Sequence, residues 1–139
     1  MSIELGDINY LAVVVGVLVS MAGGALWYSP LLFANVWMEL NGFTKEQLQE
    51  AGQAWQGYVV SIVGSIISVL VLALLIDLTG ADDLGEGLII GLFAGVAFVA
   101  TSMAANYMFE SRPLKLYIIN AGYPVLILAI NGVILALWT

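Results

Sequence analysis

The chain has no cysteine and no histidine, and only three of its 139 residues, Lys45, Arg112 and Lys115, are positively charged. Without cysteine there are no disulfides, no thiol chemistry and no S-palmitoylation. Without histidine the commonest general base and metal ligand is missing. A net charge of −7 with so few cations excludes nucleic acid as a partner. It also offers little to anionic lipid headgroups. Charged residues are scarce altogether, at 9%, where a water-soluble domain carries about a quarter.

Apolar residues, at 62%, take their place. No polar stretch is long enough to cover such an inventory, so lipid must. A membrane-spanning helix needs about 20 predominantly apolar residues, and four runs qualify, at about 9–28, 58–78, 87–109 and 116–138. The runs are continuous rather than alternating, which selects helices over a barrel. The expected fold is all-α: a single polytopic domain over 1–139, four transmembrane helices, and a short amphipathic helix in the first loop. The segment before the first run carries Glu4 and Asp7 where a signal peptide is basic, so that run is read as an uncleaved span.

The cations give an orientation. Lys45 lies in the first gap, and Arg112 and Lys115 lie in the third; the second gap holds Asp82 and Asp83. Positive residues in short loops stay in the cytoplasm. Both termini are therefore expected outside, as for a multi-pass protein of a cell inner membrane.

The first loop has its own pattern, with two short helices expected within about 31–50. Pro30 suits the first turn of a helix. From Leu31 to Leu40, the residues Leu32, Phe33, Val36, Trp37 and Leu40 share one side, a pattern fit to lie in the interface. Asn41-Gly42 ends that helix. Thr44 with Gln47 three residues on forms a capping box for a second helix, Lys45 to Glu50. Trp27, Tyr28, Trp37, Trp55 and Tyr58 gather around the loop as an aromatic belt, with Pro30 among the interfacial residues. They are expected to anchor the spans, or alternatively to act as a gating or docking lever.

The stretch Gly24-Ala25-Leu26-Trp27-Tyr28-Ser29-Pro30-Leu31-Leu32-Phe33, followed by Trp37-Met38, resembles the opening of a family of small membrane proteins, the domain of unknown function seventeen-sixty-one. Phe109-Glu110-Ser111-Arg112, Tyr117 to Tyr123 and Asn131 to Trp138 are similar to that family's ending. Asn35 and Pro124 depart from the pattern. The resemblance implies a four-span integral membrane protein and brings no activity and no functional residues.

Small residues recur every four positions at Gly16, Ser20 and Gly24 and again at Gly87, Gly91 and Gly95. In lipid, such rows let helix backbones approach closely. Spans one and three run in the same direction, so the rows are expected either to pair with each other or to join copies of a homo-oligomer. A weak repeat accompanies them: each of these spans ends in aromatics, a serine, then Pro30 or Pro113.

No Asp, Glu, Lys or Arg falls near the middle of a span. Asp77, Asp82, Asp83 and Glu86 lie near the outer ends of spans two and three, either as a solvated turn or as a cation attractor. The best polar constellation is in span four, where Asn120, Pro124 and Asn131 fall on one helix face. Pro124 lacks an amide proton and frees the carbonyl of Asn120. Asn106 and Ser102 of span three lie at similar depth, and Ser20, Ser61 and Ser65 are candidates for the same region. Such groups form either interhelical hydrogen bonds or a polar translocation site.

Two function classes follow. One is a channel or transporter, expected to be oligomeric, for an ion or small polar solute. The other is a structural or accessory subunit packed against a membrane-protein partner. An enzyme is not expected, since no nucleophile–base pair or metal cluster is visible, and no cofactor or metal is implied.

Overall fold

A computed structural model describes residues 2–50 and 54–138. A short 3₁₀ turn, Leu5–Asp7, leads into α1 (Tyr10–Trp27). The first loop carries α2 (Ala34–Asn41) and α3 (Lys45–Glu50), and α4 (Ala54–Thr79) follows. Next come α5 (Leu84–Phe93), a π-helical segment (Ala94–Ala100) and α6 (Thr101–Phe109), which continue one another as a single rod. The chain ends with α7 (Leu114–Leu137). Four helices are long and apolar enough to cross a membrane: Tyr10–Trp27, Trp55–Thr79, Leu84–Phe109 and Leu114–Leu137. The shortest, 18 residues, rises about 27 Å, close to the hydrocarbon thickness.

Local sequence explains the helix ends. Asn9 caps α1 by accepting from the Ala12 amide at 3.2 Å, and its Nδ2 donates to the Trp138 carbonyl at 2.7 Å, tying the two chain ends together. Gly42 ends α2 at φ 74°, and Gly80 ends α4 at φ 71°, both left-handed positions that favour glycine. The Thr44–Gln47 capping box forms reciprocally: the Gln47 amide donates to the Thr44 hydroxyl at 3.1 Å, and the Thr44 amide to Gln47 Oε1 at 3.0 Å. The amphipathic helix begins at Ala34 rather than Leu31. Residues 29–33 form a turn, in which the Phe33 amide donates to the Trp27 carbonyl and the Phe33 ring lies 4.6 Å from that of Trp27. The turn folds back onto the end of α1 and delays the helix.

Helix α7 is the hub, packing against all three other spans. Val69, Leu72 and Ile76 of α4 meet Ala12 and Val13 of α1 and Leu135 and Ala136 of α7 in the buried core. The third span lies antiparallel on α7, and its glycines fix that contact. A Cβ on Gly87 would strike the Gly132 carbonyl, one on Gly91 the Leu128 carbonyl, and one on Gly95 would come within 2.8 Å of Val125 Cα. This corrects the expected pairing of spans one and three. Their small-residue rows turn toward α7 instead, because Gly132 and Ala136 give it the matching flat surface. Gly16 faces Val69 and Asn131, Ser20 is buried, and Gly24 faces Tyr123. Both rows are used inside one copy of the chain, so neither is a free contact surface.

The π segment widens the third span beside Pro124. The Thr101 amide reaches back five residues to the Val96 carbonyl. Hydroxyls donate to the carbonyls along this stretch: Thr101 to Ala97 at 2.5 Å, Ser102 to Phe98 and Val99 at 2.8 Å each, and Tyr117 to Ala100 at 2.7 Å.

Candidate functional site

Two polar clusters form, at different depths. The first lies beside the first loop. Tyr28 donates to Asn120 Oδ1 at 3.0 Å, and Asn120 Nδ2 donates to the buried Tyr107 hydroxyl at 2.7 Å. The Arg112 guanidinium sits 4.6 Å from the centre of the Tyr107 ring, and its Nη2 donates to Asn41 Oδ1 at 3.0 Å. Trp27 Nε1 donates to the Ile119 carbonyl at 2.9 Å. Helices α1, α2, α6 and α7 are thereby stapled at one end. Arg112, read from sequence only as an orientation charge, here fastens α2 to the bundle. Arg112→Ala removes the cation–π contact and the Asn41 bond together. It is expected to cost about 1 kcal/mol and to speed proteolysis in residues 30–50 severalfold, with the helical spectrum unchanged. Equal cleavage rates would show that α2 is held some other way.

The second cluster is deeper. Asn131, 1% exposed, donates through Nδ2 to Ser20 Oγ at 2.9 Å, and Ser20 donates to the Gly16 carbonyl at 2.8 Å. The Tyr123 hydroxyl donates to the Ser20 carbonyl. Asn131 Oδ1 has no hydrogen-bond partner among the described residues. An unpaired buried acceptor costs about 1–3 kcal/mol, and among the described residues this is the buried side-chain atom left without a partner.

Asn131 lines a groove between α1, α4 and α7. One compartment, about 390 Å³, is bounded by Ser20, Met21, Gly24, Tyr28, Tyr58, Ser61, Ser65 and Tyr123. The next, about 340 Å³, shares Ser20, Ser61, Ser65 and Tyr123 with it and adds Ser68, Pro124 and Asn131. Ser61, Ser65 and Ser68 are four and three residues apart and so occupy one face of α4. Among the described residues, no Asp, Glu, Lys or Arg lines either compartment.

The sequence-predicted residues thus divide. Pro124 and Asn131 line the groove with Ser20, Ser61 and Ser65, while the Asn120 amide is engaged at the loop end. Asn106 and Ser102 do not join them: both are exposed, and the Ser102 hydroxyl is turned to its own helix. The same π turn that admits Pro124 carries these two outward. Trp27, Tyr28 and Trp37 form an aromatic cluster with Phe33, Tyr123 and Phe43, whereas Trp55 is exposed at 63%. Pro30 is exposed in the turn before α2. Asp82, Asp83 and Glu86 can bring their carboxylates within 4.8 Å of one another. Their bonds are those of a helix start, with Asp83 accepting from the Glu86 amide at 2.8 Å and Glu86 from the Asp82 amide at 3.1 Å. Asp77 instead borders a hollow of about 130 Å³ with Asp7 and Asn9. Sequence reasoning missed Tyr107, Tyr123 and Ser68. Ser68 was legible from its spacing to Ser61 and Ser65; the two tyrosines depend on contacts across helices.

Fold and composition together define a four-span helical membrane protein with a hydroxyl-lined groove between its spans. The chain belongs to the family described as "Protein of unknown function (DUF1761)", whose model matches residues 11–136. Neither a curated protein nor a solved structure matches it.

Proposed function

We propose that the protein is a transport unit for a small, uncharged polar solute, with the α1–α4–α7 groove as its site. The observation that carries this reading is the convergence of Ser20, Ser61, Ser65, Ser68, Tyr123 and Asn131 on adjoining compartments, with no charged residue among the described ones that line them. Hydroxyls and an amide replace the hydrogen bonds of a neutral solute. They do not offset the desolvation of an ion, which needs a counter-charge or several carbonyl ligands. The ion alternative is therefore the weaker one. Orientation rests on the three cations, which favour the loop holding α2 and the Arg112–Lys115 turn in the cytoplasm and both termini outside a cell inner membrane.

Liposome swelling with glycerol and urea tests the reading. The wild-type protein is expected to accelerate swelling over protein-free vesicles. Ser65→Trp, which fills the groove from the side of α4, is expected to return the rate to that baseline, a loss of tenfold or more. Swelling unaffected by Ser65→Trp and by Asn131→Leu would remove the groove from any transport role.

A second reading, an accessory subunit, is favoured by α4 itself. Gly57 and Gly64, the latter also bordering the middle compartment of the groove, are exposed with nothing within 4 Å of a would-be Cβ. Such an unfilled small-residue face suits a neighbouring transmembrane helix. Absence of flux in vesicles, together with tight packing of a defined partner against Gly57 and Gly64, would favour it over transport.

A further inference from the structure

The groove does not end at Ser68. A third hollow, of about 280 Å³, shares Ser68, Val99 and Leu128 with the middle compartment and continues between α4 and the π segment. Its other walls are Ile67, Val71, Leu72, Leu75, Ala94 and Phe98. From Tyr58 to Leu75 the three hollows follow α4 over about 25 Å, longer than the roughly 15 Å that one leaflet's acyl chains span. Along that path the lining changes from serine and tyrosine hydroxyls to aliphatic and aromatic side chains. The far hollow is reached from the lipid side, where Phe98 is 75% and Ile67 58% exposed.

We infer that this groove binds an uncharged single-chain amphiphile, with a hydroxyl-bearing head between Ser61, Ser65 and Asn131 and its chain in the hollow beyond Ser68. This rests on the same groove being the ligand site proposed above and names its ligand class. The polar-to-apolar gradient adds a chain site to the polar one, and a ligand that fills both is an amphiphile. The hollow beyond Ser68 leads from the middle compartment and has room for one chain. The head is neutral because, among the described residues, no Asp, Glu, Lys or Arg borders any of the three hollows. A phosphate would find no cation there, and an ammonium no carboxylate. Asn131 lines the middle compartment; its Oδ1 lies against Gly16 without a partner, and a turn of the amide toward the compartment lets it accept the hydroxyl proton of the head. The serine hydroxyls of α4 donate in return.

The test is photolabelling of the full chain in detergent with a monoacylglycerol that carries a diazirine on its chain. Labelled peptides are expected from the α4 stretch around Val71 and Leu75 and from around Phe98. Unlabelled monoacylglycerol is expected to compete, and lysophosphatidylglycerol, with the same chain and an anionic head, is not. Ser65→Trp should reduce labelling at least tenfold. Asn131→Leu should weaken binding about fivefold, the loss of one neutral hydrogen bond. Gly57→Trp, on the same helix outside the groove lining, should leave labelling intact and controls for folding. Uniform labelling over all lipid-facing helices overturns the inference, as does equal competition by the anionic lipid or indifference to Ser65→Trp. Glycerol flux that persists without site-specific labelling overturns the amphiphile and leaves the transport reading standing. Specific labelling without flux does the reverse.

Discussion

Replacing Gly91 with valine is expected to destabilise the protein by about 3 kcal/mol or more, the upper range for overpacking. A Cβ at this position would fall on the carbonyl of Leu128, and the Ala129 Cα lies 2.7 Å away. Backbone atoms cannot rotate aside as a flexible side chain can, so α5 and α7 must separate along their length. The neighbouring contacts of Gly87 with Gly132 and of Gly95 with Val125 would loosen with them. Van der Waals packing, not the hydrophobic effect, holds helices together in lipid, so the cost of separation has no compensation from the solvent. Gly64→Val is the control. Nothing lies within 4 Å of its Cβ, and the change is expected to stay within about 0.5 kcal/mol. Unfolding of purified protein in SDS, followed by circular dichroism, measures both. Similar losses at the two positions would show that glycine acts through helix propensity and not through the α5–α7 contact.

The second large effect is expected at Asn120. Its amide is the only bridge described between the Tyr28 and Tyr107 hydroxyls. Leucine there removes two hydrogen bonds and strands the Tyr107 hydroxyl, which belongs to a residue 8% exposed. The expected loss is about 2–3 kcal/mol. In a Tyr107→Phe background no hydroxyl remains to be stranded, and the same substitution should cost at least about 1 kcal/mol less. Additive losses in that double-mutant cycle would refute the bridge. Asn131→Leu is expected to be milder. Ser20 keeps its bond to the Gly16 carbonyl whether or not Asn131 is present, and the substitution removes the unpaired Oδ1 as well. Asparagines alike in sequence thus differ in consequence, because one completes a network and the other leaves an acceptor open.

The candidate site was half legible. Ser61 and Ser65, with Ser20, Pro124 and Asn131, reach one groove, as their spacing along each helix allowed. Asn120 shares their calculated face, yet its side chain is drawn toward Tyr28 and Tyr107. Those partners stand 92 and 13 residues away, and no spacing rule connects them. The reading of Asn106 and Ser102 rests on depth, counted inward from the loops, and depth does not say which face of the helix a residue takes. The π segment Ala94–Ala100 precedes them and rotates the rest of the span. The expected union of the glycine rows in spans one and three failed for a related reason. A row of small residues marks a face that tolerates close approach and does not name the face it meets.

What the sequence determined by itself is the set of features that depend on composition or on residues within about four positions. These are the four spans, the Asn9 and Thr44–Gln47 caps, the glycine ends at Gly42 and Gly80, and the lack of charge within the membrane. Tertiary structure alone decided that α7 is the hub, that α5 docks on it through three glycines, and that the serines of α4 face a groove bounded by Asn131. In water, a helix advertises its buried side by being apolar on one face. In lipid, both faces are apolar, so the inward side of each span is set by contacts between distant segments and becomes readable only when the helices are packed.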